Sequence, residues 1–510
     1  MVGILTGLLG TGCVRKQFFQ PDARPNAALP LPAAADSVRG VTAGRHYARH
    51  SRLYDGLVGR HHRSSWAAPV AAPVLYLATA RPGGLKPGKV GGGFNSTSLS
   101  LSAPDGRAYV LRTVDKDPIR ATPMLLRGTF LVNVLRDNVS STNPYAALVV
   151  PPLATALGVP RAAPQLYYVR ADDPAFQADS LHYFRGQLAY LEEKAAVVPG
   201  KAAFGEVVDS EEAFAAVFAS PNQRIDQPAL LRARLLDGWL GDWDRHAGQW
   251  SWAVGAPSSG GYSAVLPLPK DRDMVFYRLD DGVLGWLIGH LAIRHWVTFG
   301  PRYRNPVALL SNGEYLDRRA LNGLGGAQFR AAAQALQQQL PDTLLSRAVR
   351  RLPPAGFALE GARTIAALQA RRTALPALAE ALYQELARRP MVGGTAAAET
   401  FVIKRYADST QVVVYSSGSK VGAALFRRTF LGPETKEISI QGLAGDDTFV
   451  VSGPTNRPVT AGIRLRIYGG PGTDQLTGDT AQPLKKPGPG VRFYQGSAPR
   501  KKAYDQPPKE

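Results

Sequence analysis

Cysteine is almost absent from this chain. Cys13 stands alone, so no internal disulfide can brace the fold. Long apolar runs are missing as well: beyond the N-terminus no uninterrupted stretch reaches the roughly 18 residues that a membrane-spanning helix needs, which leaves tethering as the way to hold the chain at a membrane. Acidic residues are in deficit, 40 Asp and Glu against 60 Lys and Arg, for a formal net charge of +20. That balance invites an anionic partner such as nucleic acid, a phosphorylated ligand or an anionic membrane face. There is, however, no long basic block alternating with aromatics. The arginines are scattered through RRALNGL, RAVRRLPP and LQARRTALP, at positions that read as solvated helix faces, and this counts against nucleic acid.

With 45% hydrophobic and 20% charged residues, the 510-residue chain reads as an ordinary globular protein of two or three domains. It begins MVGILTGLLGTGC, a short apolar run and small residues ending at Cys13. This resembles a bacterial lipoprotein signal cleaved before an acylated cysteine, although no Lys or Arg precedes the run and Gly10 stands where Leu is usual. The alternative is an apolar N-terminus with an incidental thiol. Residues 14–36 are rich in Pro and Ala and read as a linker. Residues 37–73 hold four of the eight histidines, His46, His50, His61 and His62. No acid or cysteine accompanies them at ligand spacing, so packing or solvated roles are expected rather than a metal site.

The pattern predicts α+β architecture over 37–392. Strands dominate about 74–195, including a hairpin over 96–114 that is opened by Gly91, Gly92 and Gly93 and turned by PDG. Helices dominate about 196–392; in PALLRARLLDGWLGD, Leu231, Leu235, Leu236, Trp239 and Leu240 share one face. The strands QWSWAV and YSAVLPLPKDRDMVF form a second hairpin. A turn near Ser258 would pair position i with about 517 minus i, bringing Asp271 and Asp273 opposite His246 and Asp244. Asp244, Gln249, Asp271 and Asp273 then converge. Carboxylates that close repel unless a cation lies between them, and hard oxygen donors suit Mg²⁺ or Mn²⁺. The opposing reading makes Asp244, Arg245 and His246 a buried polar network, with the neighbouring tryptophans simply packing and the glycines a plain turn.

This order of parts resembles an atypical two-lobed protein-kinase-like fold. GGGFNS is similar to the glycine-rich loop, Asp244 to Gln249 reproduces the five-residue step of the catalytic loop, and Asp271 or Asp273 followed by Phe276 resembles the metal-binding Asp. The closest likeness is to HipA-like kinases and to spore-coat kinases of the CotH type. The resemblance implies a nucleotide such as ATP, with Asp244 as catalytic base, Gln249 and Asp271 or Asp273 on the metal, and Arg112 or Lys116 with Gly91–Gly93 on the phosphates. Gln249 stands where these kinases keep Asn, and Arg112 where they keep Lys. LEEK, 191–194, is similar to the segment between the lobes, but no helical Glu partner for Arg112 stands out.

The layout also resembles an uncharacterised family of Bacteroidetes envelope proteins through LRTVDKDP, NPYAALVVPP, RARLLDGWLGDWDRHAGQW, PKDRDMVF and ETKEISIQGLAGDD, over about 37–480. In that family the region accompanies metallophosphoesterase domains and outer-membrane barrels. The likeness implies a lipid-anchored protein of the cell envelope, at the outer membrane beside an outer-membrane partner. It also implies a compartment without ATP, so that either another phosphorylated donor serves or the chain is a catalytically inactive scaffold.

From 393 to 480 the sequence turns to strands, as a small all-β sandwich or short solenoid, and 481–510 reads as a basic disordered tail. GLAGDD and GGPGTDQLTGD resemble the nonapeptide of calcium-binding β-rolls, with starts 27 residues apart. Asp447 and Asp474 would be the Ca²⁺ ligands, or else these are Gly/Asp turns between strands.

Overall fold

The computed structural model describes residues 14–25, 38–48, 50–91, 97–120, 122–194, 206–257, 261–417, 424–453, 462–479, 482–484 and 488–499. The fold is mixed α+β. Seven strands make the first sheet: β1 (Val38–Val41), β2 (Val70–Leu75), β3 (Lys86–Gly91), β4 (Ser98–Ser102), β5 (Ala108–Thr113), β6 (Gln165–Val169) and β7 (Leu188–Glu193), in the spatial order β1-β2-β6-β7-β5-β4-β3. The Ser/Leu alternation of β4 sends Leu99 and Leu101 inward, where they join Leu75, Leu111, Phe184 and Leu191 in one apolar cluster. The other face of β5 carries Arg112, in register with Tyr190 of β7.

A second sheet, β8-β10-β11-β9, comprises β8 (Glu206–Val208), β9 (Gln223–Ile225), β10 (Trp250–Pro257) and β11 (Ser263–Pro269). Here the expected register needs correction. Trp250 pairs with Pro269 and Val254 with Val265, so position i faces 519 minus i, two places from the expectation. A shift of two keeps every paired side chain on its face, but β11 ends at Pro269, so Asp271 and Asp273, expected within the strand, lie beyond it.

The helix Gln227–Leu240 runs through the centre of the helical region. Asp226 caps it by accepting from the Ala229 N–H at 2.9 Å, and Gly241, at φ +75°, ends it in the left-handed conformation that glycine takes without penalty. More than one face of it is buried: Leu230, Arg234 and Asp237 are enclosed along with the predicted apolar stripe. The helices Gly326–Gln339, Asp342–Val349, Pro354–Thr373 and Leu375–Arg388 surround it and share its core.

After the last of these helices the described residues contain only strands and loops. One sheet is wholly parallel, β12 (Met391–Gly393), β16 (Glu437–Gln441), β18 (Arg464–Tyr468) and β20 (Val491–Tyr494); the other is β15 (Phe426–Leu431), β14 (Ser409–Ser416), β13 (Glu399–Arg405), β17 (Thr448–Ser452) and β19 (Gln475–Thr477). β13, β17 and β19 are parallel in their turn, with Thr400, Thr448 and Gln475 side by side. The chain thus climbs as a short solenoid, and the 27 residues between the glycine motifs are one full coil.

Two sequence expectations change. Of the region read as a linker, residues 14–25 are packed: Gln20, Asp22 and Ala23 are buried, the Gln20 amide donates to the Thr42 carbonyl at 2.8 Å, and Tyr168 donates its hydroxyl to Asp22. Composition does not register such individual polar contacts. The region read as a disordered tail contains β20, whose Tyr494 stacks on Tyr468 at 4.9 Å and adds a further rung.

Candidate functional site

The loop from Gly241 to Trp250 divides its residues between two environments. Arg245 and Asp242 turn into the protein; Asp244 and His246 remain partly exposed. Arg245 is fully buried beside Asp237, 3.3 Å away, which also pairs with Arg234 at 3.1 Å and with Arg272. Arg234 reaches on to Asp317 at 2.8 Å, and Arg272 to Asp242 at 2.9 Å. Three arginines and three aspartates therefore form one buried network. Burial pushes Asp242 up to about 6 against the pull of Arg245 and Arg272. At Asp237 burial acts the same way, but the surrounding guanidiniums outweigh it and hold the group down. The polar network is real, yet Asp244 and His246 are not its members. Trp250 stacks on Trp252 under the Arg245 guanidinium, while Trp243 packs against Tyr277.

Arg245 also fixes the segment after β11. Its guanidinium donates to the carbonyls of Lys270 (2.6 Å), Asp271 (2.9 Å) and Gln249 (3.1 Å). Asp271 sits at φ +48°, a left-handed conformation that aspartate tolerates better than most side chains. Arg272 turns inward to the network, and its neighbours Asp271 and Asp273 line a cavity with Arg112, Lys116, Tyr190 and Glu192. The cavity lies between the first sheet and the hairpin segment.

Two cations inside face three acids. Arg112 reaches Asp271 at 2.9 Å and Glu192 at 3.3 Å, and Lys116 bonds to Asp273. Burial works to raise Asp271, but Arg112, Lys116 and Arg245 together outweigh it and hold the carboxyl below its ordinary value. Burial lowers Lys116, against the opposing pull of Asp271 and Asp244. It raises Glu192 against Arg112. Of the four residues expected to converge, Asp271 and Asp273 line this cavity and Asp244 and Gln249 do not, and the immediate countercharges of the two acids are protein side chains. Among the described residues no group of three or more His, Cys, Asp and Glu is arranged to hold a metal ion. Asp271 and Asp273 still offer hard carboxylate oxygens, and Mg²⁺ is commonly held by one or two carboxylates together with waters and ligand phosphates.

Asp244 accepts a hydrogen bond from the Asn312 amide at 3.2 Å and lies within electrostatic reach of Lys116. Gln249 is joined to the site by its backbone, its carbonyl accepting from Lys270 N–H at 2.9 Å, and its side chain does not line the cavity. Gly91 ends β3, exposed and opposite Ser98. Gly92, Gly93 and Cys13 lie outside the described residues.

Glu192 and Asn312 were missed in the sequence. The expected partner of Arg112 was a helical glutamate, whereas Glu192 comes from the adjacent strand; its place in LEEK was the available signal. The four histidines find acids from distant parts of the chain: His46 with Asp115, His50 with Asp137, His61 with Asp281 and His62 with Glu360. His62 bonds Glu360 through Nδ1 at 2.8 Å and donates Nε2–H to the Phe276 carbonyl at 2.8 Å. Phe276 is itself at φ +61°, so this bond supports a conformation unusual for an aromatic residue. His62→Ala is expected to lower stability by about 1–3 kcal/mol, because it removes one partner of the buried Glu360 carboxylate, leaving Asn143, and the donor to the Phe276 carbonyl. A urea unfolding midpoint equal to that of the parent would refute this role.

In the solenoid, Asp447 and Asp474 are buried and turned inward. Asp447 Oδ1 accepts the Glu399 N–H at 2.8 Å, and Asp474 Oδ1 accepts the Asp447 N–H at 3.1 Å, so each acid ties its coil to the one before.

No protein-family model and no curated protein matches the sequence. Among solved structures, the proinflammatory kinase CtkA of Helicobacter pylori aligns at a TM-score of 0.32 and 12% identity, over 59% of this chain and 96% of that one. The Shewanella oneidensis MR-1 toxin–antitoxin complex of HipA, HipB and operator DNA aligns at a TM-score of 0.21 and 14% identity, over 70% of this chain and 74% of that one. Likenesses this loose fix neither fold nor chemistry, which rest on the chain's own geometry.

Proposed function

We propose that this chain is an atypical kinase-like protein whose cleft binds a phosphorylated ligand, a nucleotide by preference, together with Mg²⁺ or Mn²⁺. The observation that carries this reading is the meeting of two cations from the first sheet and the chain just after it, Arg112 and Lys116, with two acids from the end of a later hairpin, Asp271 and Asp273, in one cavity. The element order supports it: sheet, helical region, acidic loop, hairpin, acids. Phosphate oxygens would take over Arg112 and Lys116, releasing Asp271 and Asp273 to hold the metal. The bound metal would neutralise phosphate charge. Asp244 would orient an acceptor hydroxyl and take its proton as the phosphoryl group transfers, and the donor's remaining phosphate would leave along the cation-lined wall.

A second reading, an inactive scaffold, is favoured by the same ion pairs, which satisfy the charges without a ligand. Attachment to the cell envelope through an acylated Cys13, at the outer membrane, belongs to the proposal on the strength of the N-terminal sequence.

Thermal unfolding in millimolar Mg²⁺ and ATP, ADP or AMP separates the readings. Binding at about 100 times Kd stabilises by about 2.7 kcal/mol. We expect a rise in Tm with at least one nucleotide that is lost in Lys116→Ala and Asp273→Asn. If no nucleotide moves the parent's Tm, the scaffold stands.

A further inference from the structure

The helix Val283–Leu287 and its continuation Ile288–Ala292 are inverted relative to an ordinary surface helix. Their inward face is glycine: Gly282 sits against the backbone of Val58 and Gly59, Gly285 against the Leu279 carbonyl, and Gly289 against the Trp296 carbonyl. Any Cβ at the first two positions would collide with main chain. Their outward face is bulky and apolar. Leu284, Trp286, Leu287 and Leu291 are exposed, Leu291 at 77%, and they continue onto Leu53 and Leu57 of the adjoining helix Arg52–Val58, Leu53 at 74%. Folding does not require this surface, since the element is seated by its glycines. A soluble surface rarely carries so many large apolar side chains side by side.

The charge around the patch selects its occupant. Arg52, Arg60 and Arg294 are exposed and bracket the apolar residues along the chain. The acids at its base are already engaged: Asp280 with Arg304, Asp281 with the His61 N–H at 2.8 Å, and Asp55 with Arg63 at 3.6 Å. A second copy docked face to face would set these arginines against their own equivalents. An anionic bilayer meets both features, taking the leucines and Trp286 into its interface and the arginines against its headgroups. We infer that residues 283–292, with Leu53 and Leu57, form a docking face for an anionic lipid surface. This does not depend on the nucleotide reading.

The test uses the full unacylated chain, vesicles of phosphatidylglycerol and phosphatidylcholine in equal parts, and vesicles of phosphatidylcholine alone. We expect co-sedimentation with the anionic vesicles to exceed that with neutral ones, and brominated lipid to quench fluorescence in the parent but much less in Trp286→Phe. The double variant Leu287→Glu, Leu291→Glu should lose about tenfold or more in partitioning, with an unchanged Tm because both positions are exposed. Equal partitioning of parent and double variant at equal Tm would overturn the inference. So would a parent that forms dimers through this face, abolished by the double variant, without binding vesicles.

Discussion

Asp237→Ala is expected to lower the folding stability of the helical region by about 3–5 kcal/mol. Asp237 is the shared partner of Arg234, Arg245 and Arg272, all on the inner side of the site. Without it, two remaining acids, Asp242 and Asp317, must serve three guanidiniums with little access to water. The damage should extend to the cleft, because Arg245 holds the carbonyls of Lys270, Asp271 and Gln249 from the same network. Asp244→Ala is the control. Asp244 lies outside the network and is partly exposed, so its loss should cost less than about 1 kcal/mol while removing phosphotransfer if that activity exists. Urea unfolding of the two variants decides the matter. A small loss for Asp237→Ala would mean that the arginines find other partners, and the network would then be incidental to the cleft.

The solenoid should lose stability as pH rises from about 4 to about 7. Glu399, Asp447 and Asp474 occupy equivalent positions on successive coils, each five residues after a glycine, Gly394, Gly442 and Gly469. Asp447 is fully enclosed, and burial, reinforced by Glu399, Asp474 and Asp446, pushes its carboxyl up to about 7; Glu399 and Asp474 are raised as well, chiefly by burial. A group whose folded value is raised binds its proton more tightly folded than unfolded. Its contribution is complete below the ordinary carboxylate range and is lost as pH climbs through the folded value, at roughly 1.4 kcal/mol per pH unit within the window. The Oδ2 oxygen of Asp447 is buried with no hydrogen-bond partner among the described residues. Asp447→Asn keeps an acceptor for the Glu399 N–H and carries no charge. At pH 8 it should therefore be more stable than the parent, with a flatter pH dependence. Hydrogen exchange at the Glu399 and Asp447 amides from pH 5 to 8 is the measurement, after correction for intrinsic exchange rates; a parent whose protection does not fall with pH would refute the ladder.

The hairpin of β4 and β5 was legible because Ser/Leu alternation in β4 and the PDG turn are local signals that burial of one face then enforces, whereas β1 and β3 carry no such signal. The second hairpin was legible in kind, but its register was off, because a turn's centre is poorly marked where small residues run on through GAPSSGG, and its second strand stops at Pro269, short of the expected Phe276. The pairing of acids with cations was half visible. KDRD alternates by two, which separates Asp271 and Asp273 from Arg272, but nothing local says that Arg272 finds Asp237 and Asp242 or that Arg112 finds Glu192. Of the ladder acids, Asp447 and Asp474 were seen as motif residues and Glu399 was not, and their direction was invisible, since a carboxylate in a Gly/Asp turn can face outward to a cation or inward to the next coil with the same sequence.

By itself, the sequence determined which residues could form strands and helices, where glycine must end them, and which acids and bases were available for chemistry, because these follow from periodicity and side-chain type within short windows. Only the tertiary structure decided which charge meets which, that Arg245 belongs to the interior while Asp244 does not, and that an apolar helix faces outward over a glycine seam. Those outcomes depend on contacts between residues tens to hundreds of positions apart, where burial fixes the electrostatic balance and local pattern carries no information.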